Sequence, residues 1–248
     1  MTEKVQKILS RVSCISRRKI EKMINTGSIF INGKKALIGQ RLNNKNLDEI
    51  IIMGKLISIK KIDFKTKIII YNKPEGEICT RYDPKQRPTV FEKLPFFKHN
   101  NWISVGRLDI NSKGLLIFTN NGDLANKLMH PNNKIEREYC MRIFGKINKN
   151  TMNILKNGVK IKDGYASFKK IEAINDKKSG QNKWFKGILC EGRNREIRSM
   201  WNKVQCQVSR LIRIRYGNII LPKNLKPGHW LELNSILVND LCNSISIK

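Results

Sequence analysis

Asp109 is the residue of this chain best placed to do chemistry. It closes the tetrapeptide Gly106-Arg107-Leu108-Asp109, and the apolar run LLIF begins six residues later at Leu115. A carboxylate held by a turn against an apolar wall suits a nucleophile. Gly106 permits the tight turn, and Leu108 offers an apolar anchor. Arg107 has two uses open to it, a contact to phosphate or a wedge into a base stack. By itself the tetrapeptide is equally a turn with a solvated acid. Tyr139, in EREYCMR, supplies a ring that can stack on a base and a phenol that can pass a proton, or simply a core tyrosine on an alternating strand. The segment EGRNREIRSMW carries Arg193, Arg195 and Arg198. Three cations at a helix start oppose its dipole, so the pattern expects an anion there.

The composition says what kind of partner to expect. The chain has 248 residues, with 49 Lys plus Arg against 20 Asp plus Glu, a formal net charge of +29. Such a field repels itself unless a polyanion neutralises it, so nucleic acid is the leading partner. Acidic membrane surface is the rival, but no apolar run approaches about 20 residues. The opening MTEKVQKILSR has no apolar signal region, which predicts a cytoplasmic protein. The six cysteines are scattered without a CxxC and the three histidines lie far apart. We therefore expect reduced thiols and no metal.

These residues need elements to position them. Val5, Ile8, Leu9 and Val12 follow helical spacing, and a second helix with Ser16 as N-cap carries Ile20, Met23 and Ile24 up to Gly27. SIFINGKKA then reads as a hairpin about Asn32-Gly33. Arg17, Arg18, Lys19 and Lys22 cluster on the second helix, an anion-binding face. EIIIMGKLISI supplies a closing strand, and KKIDFKTK a polar linker, with the domain boundary at residue 62. Strands follow in IIIYNK, LLIFTN, EYCMRIFG, KGILCEG and LIRIRYG, and helices in GDLANKLMH, NKNTMNILKNG and NREIRSMWNKV. The order predicts an α+β fold rather than a doubly wound parallel sheet. In LIRIRYG, alternation puts Ile212, Ile214 and Tyr216 on a packed face and Arg213 and Arg215 on a positive one.

Residues 3 to 60 resemble an S4 RNA-binding domain, most specifically in SRRKIEKMINTGSIFINGKKA. YNKPEGEICTRYDPKQRPTVFEKLP, VGRLDINSKGLLIFTNNGDLANKLMHP, KIEREYCMRIFG and EGRNREIRSMW, in that order, resemble the RsuA-type pseudouridine synthases. The resemblance implies a small S4-like domain over 1–62 and a catalytic domain over 63–248 with a mainly antiparallel mixed sheet. It implies isomerisation of a uridine in RNA to pseudouridine without cofactor or metal. The C-terminal SRLIRIRYGNIILPKNLKPGHWLEL resembles the branch acting on 23S ribosomal RNA, or its large-subunit precursor, as a monomer. A small-subunit target and a non-catalytic assembly factor are the alternatives. By resemblance Asp109 is the essential carboxylate, Tyr139 stacks on the everted uracil, and Arg198 pairs with the carboxylate. Ile197 and Leu108 line the pocket. Arg107 fills the gap left by the base. Arg193, Arg195, Lys73 and Arg87 line the RNA path. NREIR departs from the His-Gln pair of many relatives.

Overall fold

The computed structural model describes residues 2–13, 15–43, 49–57, 65–97, 102–174 and 182–244. The chain forms two compact units, one of residues 1–65 with 96–102, the other of residues 66–95 with 103–248. The boundary expected at residue 62 lies outside the described residues. The segment 96–102, expected within the second domain, falls in the first unit.

In the first unit, β1 (Thr2–Lys4) runs into α1 (Val5–Val12), and α2 (Arg17–Asn25) follows. The Ser16 side chain accepts from the Lys19 N–H, capping α2 as expected. β2 (Ile29–Ile31) and β3 (Lys34–Lys35) form the hairpin, with Asn32 at φ 48° and Gly33 at φ 74°. Positive φ at both turn positions matches strand twist, and Asn-Gly adopts it readily. β4 (Arg41–Asn43) pairs with β1, while β5 (Ile50–Ile52) and β6 (Lys55–Ile57) complete a four-stranded sheet in the order β3-β2-β5-β6. Val5, Leu9, Ile20, Ile24, Ile29 and Ile50 are among the residues that fill its core. Arg17, Arg18, Lys19 and Lys22 are exposed on α2.

The second unit is built on a nine-stranded sheet of described residues. Its strands are β7 (Ile68–Lys73), β8 (Ile103–Ser104), β9 (Lys113–Thr119), β10 (Arg137–Phe144), β13 (Lys170–Ile174), β14 (Asn182–Leu189), β15 (Gln207–Tyr216), β16 (Ile219–Ile220) and β17 (Trp230–Glu232). A separate hairpin, β11 (Val159–Ile161) with β12 (Gly164–Ala166), stands between β10 and β13 in sequence. The spatial order is β13-β14-β10-β15-β9-β7-β17, with β16 on β15 and β8 on β9. All pairings are antiparallel except β15 with β9. The expected mixed, mainly antiparallel sheet is thus present.

Both faces of the sheet are covered, which is why β7 and β9 read as continuous apolar runs rather than alternating ones. On one face Ile68, Ile70, Leu115 and Ile117 pack with Leu124, Ala125 and Leu128 of α3 (Gly122–Met129). On β7 and β9, Tyr71 meets Phe118 edge-on at 6.3 Å, and Phe91 meets Phe118 at 5.4 Å. Asn121 caps α3 by accepting from the N–H groups of Asp123 and Leu124. Asn148 and Thr151 form a capping box on α4 (Lys149–Asn157). α5 (Glu196–Lys203) buries Trp201, 5.3 Å from Phe185, and α6 (Ser235–Ser244) buries Val238 and Leu241. No helix among the described residues is long and apolar enough to cross a membrane.

Two details of β15 shape everything that follows. Glu138 pairs with Arg215 but Tyr139 pairs with Arg213, so Ile214 is an extra residue in the ladder. The bulge breaks the simple alternation expected of LIRIRYG. Arg213 is buried, 2% exposed, and lines a cleft together with Leu211 and Tyr216. Arg215 is left to pair with Glu136 and Glu138, at 2.9 Å each. The second detail is Gly114, at φ 98°, opposite Arg213 on the parallel strand. A Cβ there would lie 2.3 Å from the Arg213 carbonyl oxygen, so only glycine lets β9 approach β15.

Candidate active site

The turn that carries Asp109 is held at every carbonyl. The Asp109 carbonyl accepts from Ser112 N–H at 3.0 Å, and the Ile110 carbonyl from Gly76 N–H at 2.9 Å. The Asn111 carbonyl accepts from Arg198 Nη2 at 2.9 Å. Lys73 Nζ donates to the carbonyls of Ser112 at 2.9 Å, Ile110 at 3.4 Å and Pro74 at 2.9 Å. Just before the turn, Gly106 sits at φ 77°. Leu108 is fixed by the Cys79 thiol, which approaches both its N–H and its carbonyl at 3.4 Å. Burial pushes the Cys79 thiol pKa up, against the Leu108 hydrogen bond and the charges of Lys73, Arg213 and Arg107. A turn with this many backbone restraints presents its side chain in one direction, as chemistry on a fixed centre requires.

Asp109 opens on a cleft of about 970 Å³ in the second unit. Its side chain is 31% exposed, with Arg198 Nε 3.9 Å from Oδ2. Arg198 arrives from α5, and its Nη1 donates to the Val208 carbonyl at 2.8 Å. Burial lowers the Arg198 pKa, as does neighbouring Arg195, while the charges of Asp109 and Glu75 oppose the shift. A guanidinium stays protonated through such a shift. Tyr139, 7% exposed, lines the same cleft from β10, as do Leu108 and Ile197, both buried. Thus Asp109, Tyr139 and Arg198, which are 30 and 59 residues apart along the chain, are gathered at one site.

The expected RNA contacts divide. Arg107 and Arg195 are exposed and line the cleft. Arg195 does not lie on the helix with Arg198, as a shared face would need. It is the N-cap of α5, in the left-handed region at φ 51°. Arg87 lines the cleft with its guanidinium doubly bonded to Asp83, at 3.0 and 2.8 Å. That bond holds the Asp83 carboxyl down to about 2. Lys73 does not line an RNA path. It is fully buried, and its ammonium braces the Asp109 turn. Arg193 also has its donors occupied. It pairs with Glu191 at 2.7 Å and donates to the carbonyls of Asp163 and Tyr165 at 2.9 Å. Arg17, Arg18, Lys19 and Lys22 belong to the first unit and its α2 face.

Three further residues line the cleft without having been singled out for it. Arg137, 6% exposed, donates to the Cys190 carbonyl at 3.2 Å and to the Tyr216 hydroxyl at 3.0 Å. The Cζ atoms of Arg137 and Arg213 lie 5.0 and 5.1 Å from the Tyr216 ring centroid. A basic residue on an alternating strand normally faces water; Arg213 instead shares the cleft face with Leu211, and the bulge at Ile214 brings Tyr216 onto that face as well. Among the described residues, no group of three or more His, Cys, Asp or Glu is arranged to hold a metal.

Comparison with known proteins places the chain. A sequence profile of the RNA pseudouridylate synthase family matches residues 67–203. Ribosomal large subunit pseudouridine synthase B of Buchnera aphidicola subsp. Acyrthosiphon pisum (strain APS) is 71% identical over 248 residues, covering 100% of this chain and 99% of its own. The protein of the same name from Buchnera aphidicola subsp. Schizaphis graminum (strain Sg) is 63% identical over 246 residues, covering 99% and 96%. A crystal structure of a pseudouridylate synthase superposes with a TM-score of 0.66 at 20% identity, covering 96% of this chain and 99% of that one, a likeness of fold.

Proposed function

The chain belongs to the RNA pseudouridylate synthase family, and from that footing we propose that it isomerises a uridine of large-subunit (23S) ribosomal RNA to pseudouridine. The observation that carries the reading is the meeting of Asp109, Tyr139 and Arg198 in one cleft, from three distant segments. The choice of the large subunit is supported by the names of relatives that match the chain end to end.

The reaction breaks the N1–C1′ bond, turns the uracil, and joins C5 to C1′. C5 gives up a proton and N1 gains one, so the product has the composition of the substrate and no co-reactant is consumed. The target nucleotide must first leave its stack, at a cost of a few kcal/mol. In our reading Arg107, exposed beside the turn, fills the gap. Tyr139 stacks on the everted base, between walls formed by Leu108 and Ile197. Asp109 then faces the sugar as the essential carboxylate. Arg198 keeps that carboxylate charged and oriented. Exposed Arg195 meets phosphate at the cleft, and the α2 cations Arg17, Arg18, Lys19 and Lys22 grip the RNA elsewhere. The enzyme acts as a monomer in the cytoplasm.

The test is pseudouridine mapping on 23S RNA transcripts incubated with the protein, and on ribosomal RNA from cells lacking the gene. Wild type is expected to modify a large-subunit uridine, and Asp109→Asn to modify none while binding RNA as tightly. Product confined to small-subunit RNA would redirect the substrate. No product on any ribosomal RNA would leave only an RNA-binding role.

A further inference from the structure

Tyr139 of β10 stands directly opposite Arg213 of β15. Opposed residues of an antiparallel pair share a face, with Cβ atoms about 4.5–5.5 Å apart, and here that face is the cleft. Arg213 is anchored by Nε, which donates to the Leu115 carbonyl at 2.7 Å. The Tyr216 ring lies 5.1 Å from its Cζ. Its Nη2 is buried and has no hydrogen-bond partner among the described residues. Neighbouring Arg137, by contrast, has Nη1 and Nη2 on the Cys190 carbonyl and the Tyr216 hydroxyl. A buried guanidinium with an idle donor is strongly unfavourable unless a ligand completes it.

Resting on the reading that uracil stacks on Tyr139, we propose that Arg213 is a base-reading residue whose Nη2 donates to a uracil carbonyl oxygen, holding one carbonyl before the base turns and the other afterwards. Uracil has a symmetry that suits such a grip. A half-turn about the axis through N3 and C6 exchanges N1 with C5, which is the change the reaction needs. The same half-turn exchanges O2 with O4. One fixed donor therefore meets an acceptor in both orientations. A guanidinium has donors only, so cytosine, with an amino group at C4, opposes it in one of the two. While the base is detached, the electron pair of the broken bond is shared by N1, O2 and O4, and a cation beside the carbonyls stabilises that charge.

The test uses the full chain and a stem-loop of 23S RNA with uridine, 2-thiouridine or 4-thiouridine at the modified position, read as single-turnover product formation. Sulfur accepts hydrogen bonds poorly. Wild type is expected to slow about tenfold or more at either thio position, the size of one charge-assisted hydrogen bond. Arg213→Met is expected to be about 10- to 100-fold slower on uridine, with RNA affinity within about threefold, and to lose the added thio penalty. Should that variant not fold, Arg213→Lys, which keeps the charge and moves the donor, is expected to show a reduced thio penalty. Wild type indifferent to either thio substitution overturns the proposal. So does an equal thio penalty in wild type and variant. A variant whose RNA affinity falls tenfold with thio sensitivity unchanged assigns Arg213 to a phosphate and also overturns it. Absence of product from the uridine RNA removes the parent reading, and is distinct from ordinary product with thio indifference.

Discussion

Arg198 faces Asp109 without hydrogen-bonding to it. Nε stands 3.9 Å from Oδ2, while Nη1 and Nη2 bind the carbonyls of Val208 and Asn111. One planar group thus fixes the turn two residues from the carboxylate and supplies its counter-charge, leaving the carboxylate partly exposed on the cleft. A lysine can supply the charge but not the three-point geometry. Arg198→Lys is expected to lower kcat by about 10²- to 10³-fold with RNA affinity unchanged. A kcat within threefold of wild type in single-turnover assays would show that charge alone suffices.

Lys73 is a structural cation. Its ammonium is fully buried and holds three carbonyls, two of them in the Asp109 turn. Lys73→Met leaves those acceptors without their donor, and we expect unfolding free energy to fall by about 2–4 kcal/mol. Urea unfolding measures it. Because the side chain is buried, RNA affinity and its salt dependence should not move, the reverse of what loss of a phosphate contact would do.

Gly114→Ala attacks the same site through the backbone. The new Cβ would lie 2.3 Å from the Arg213 carbonyl oxygen, at φ 98°. The pairing of β9 with β15 must open, at about 2–4 kcal/mol. Thermal melting should show the loss. Turnover should fall further than stability alone accounts for, since β9 begins directly after the Asp109 turn.

The Asp83–Arg87 pair predicts an acid dependence. Arg87 holds the Asp83 carboxyl at about 2, below its usual 3.8. A depressed carboxyl stabilises the fold above its unfolded value and loses that contribution as pH falls toward the folded one. Asp83→Asn is therefore expected to be less stable than wild type at neutral pH. In denaturant titrations the difference should shrink between pH 3.8 and about 2 and be constant above it.

The α2 cations are exposed and project from the first unit. Replacing Arg17, Arg18 and Lys22 together with alanine is expected to weaken RNA binding. The slope of log affinity against log salt should become shallower by about 2, from three lost phosphate contacts. Filter binding across salt concentrations measures this. An unchanged slope would remove α2 from the RNA interface.

Periodicity and turn chemistry carried much of the fold. The Ser16 cap, the Asn32-Gly33 hairpin and the strand EYCMRIFG all rest on local physics, and the structure has each. Asp109, Tyr139 and Arg198 were singled out by their types and flanking motifs, and the structure gathers them at one cleft. What local pattern could not show was the destination of long cationic side chains. The resemblance puts Lys73 and Arg193 on the RNA path. Both are instead tied to carbonyls or carboxylates brought near by tertiary structure. Arg213 was hidden for another reason. Alternation set it apart from Ile212, but the cleft it faces is made with Tyr139 across the ladder and with Tyr216 brought round by the slip at Ile214, and one strand's sequence does not encode its partner's register.

The extra residue at Ile214 makes the cleft a matter of counting as much as of side-chain type. Were the strand to run through Ile214 at the same length without the bulge, strict parity would turn Arg215 inward and Tyr216 outward, and the cushion beneath Arg213 would be exchanged for a second charge. Point substitutions at Ile214 keep the bulge and should therefore be forgiven more readily than a residue inserted beside it, which would turn Arg215 inward. Among kindred chains, the spacing between these two positions should drift less than the identity of the residue that fills it.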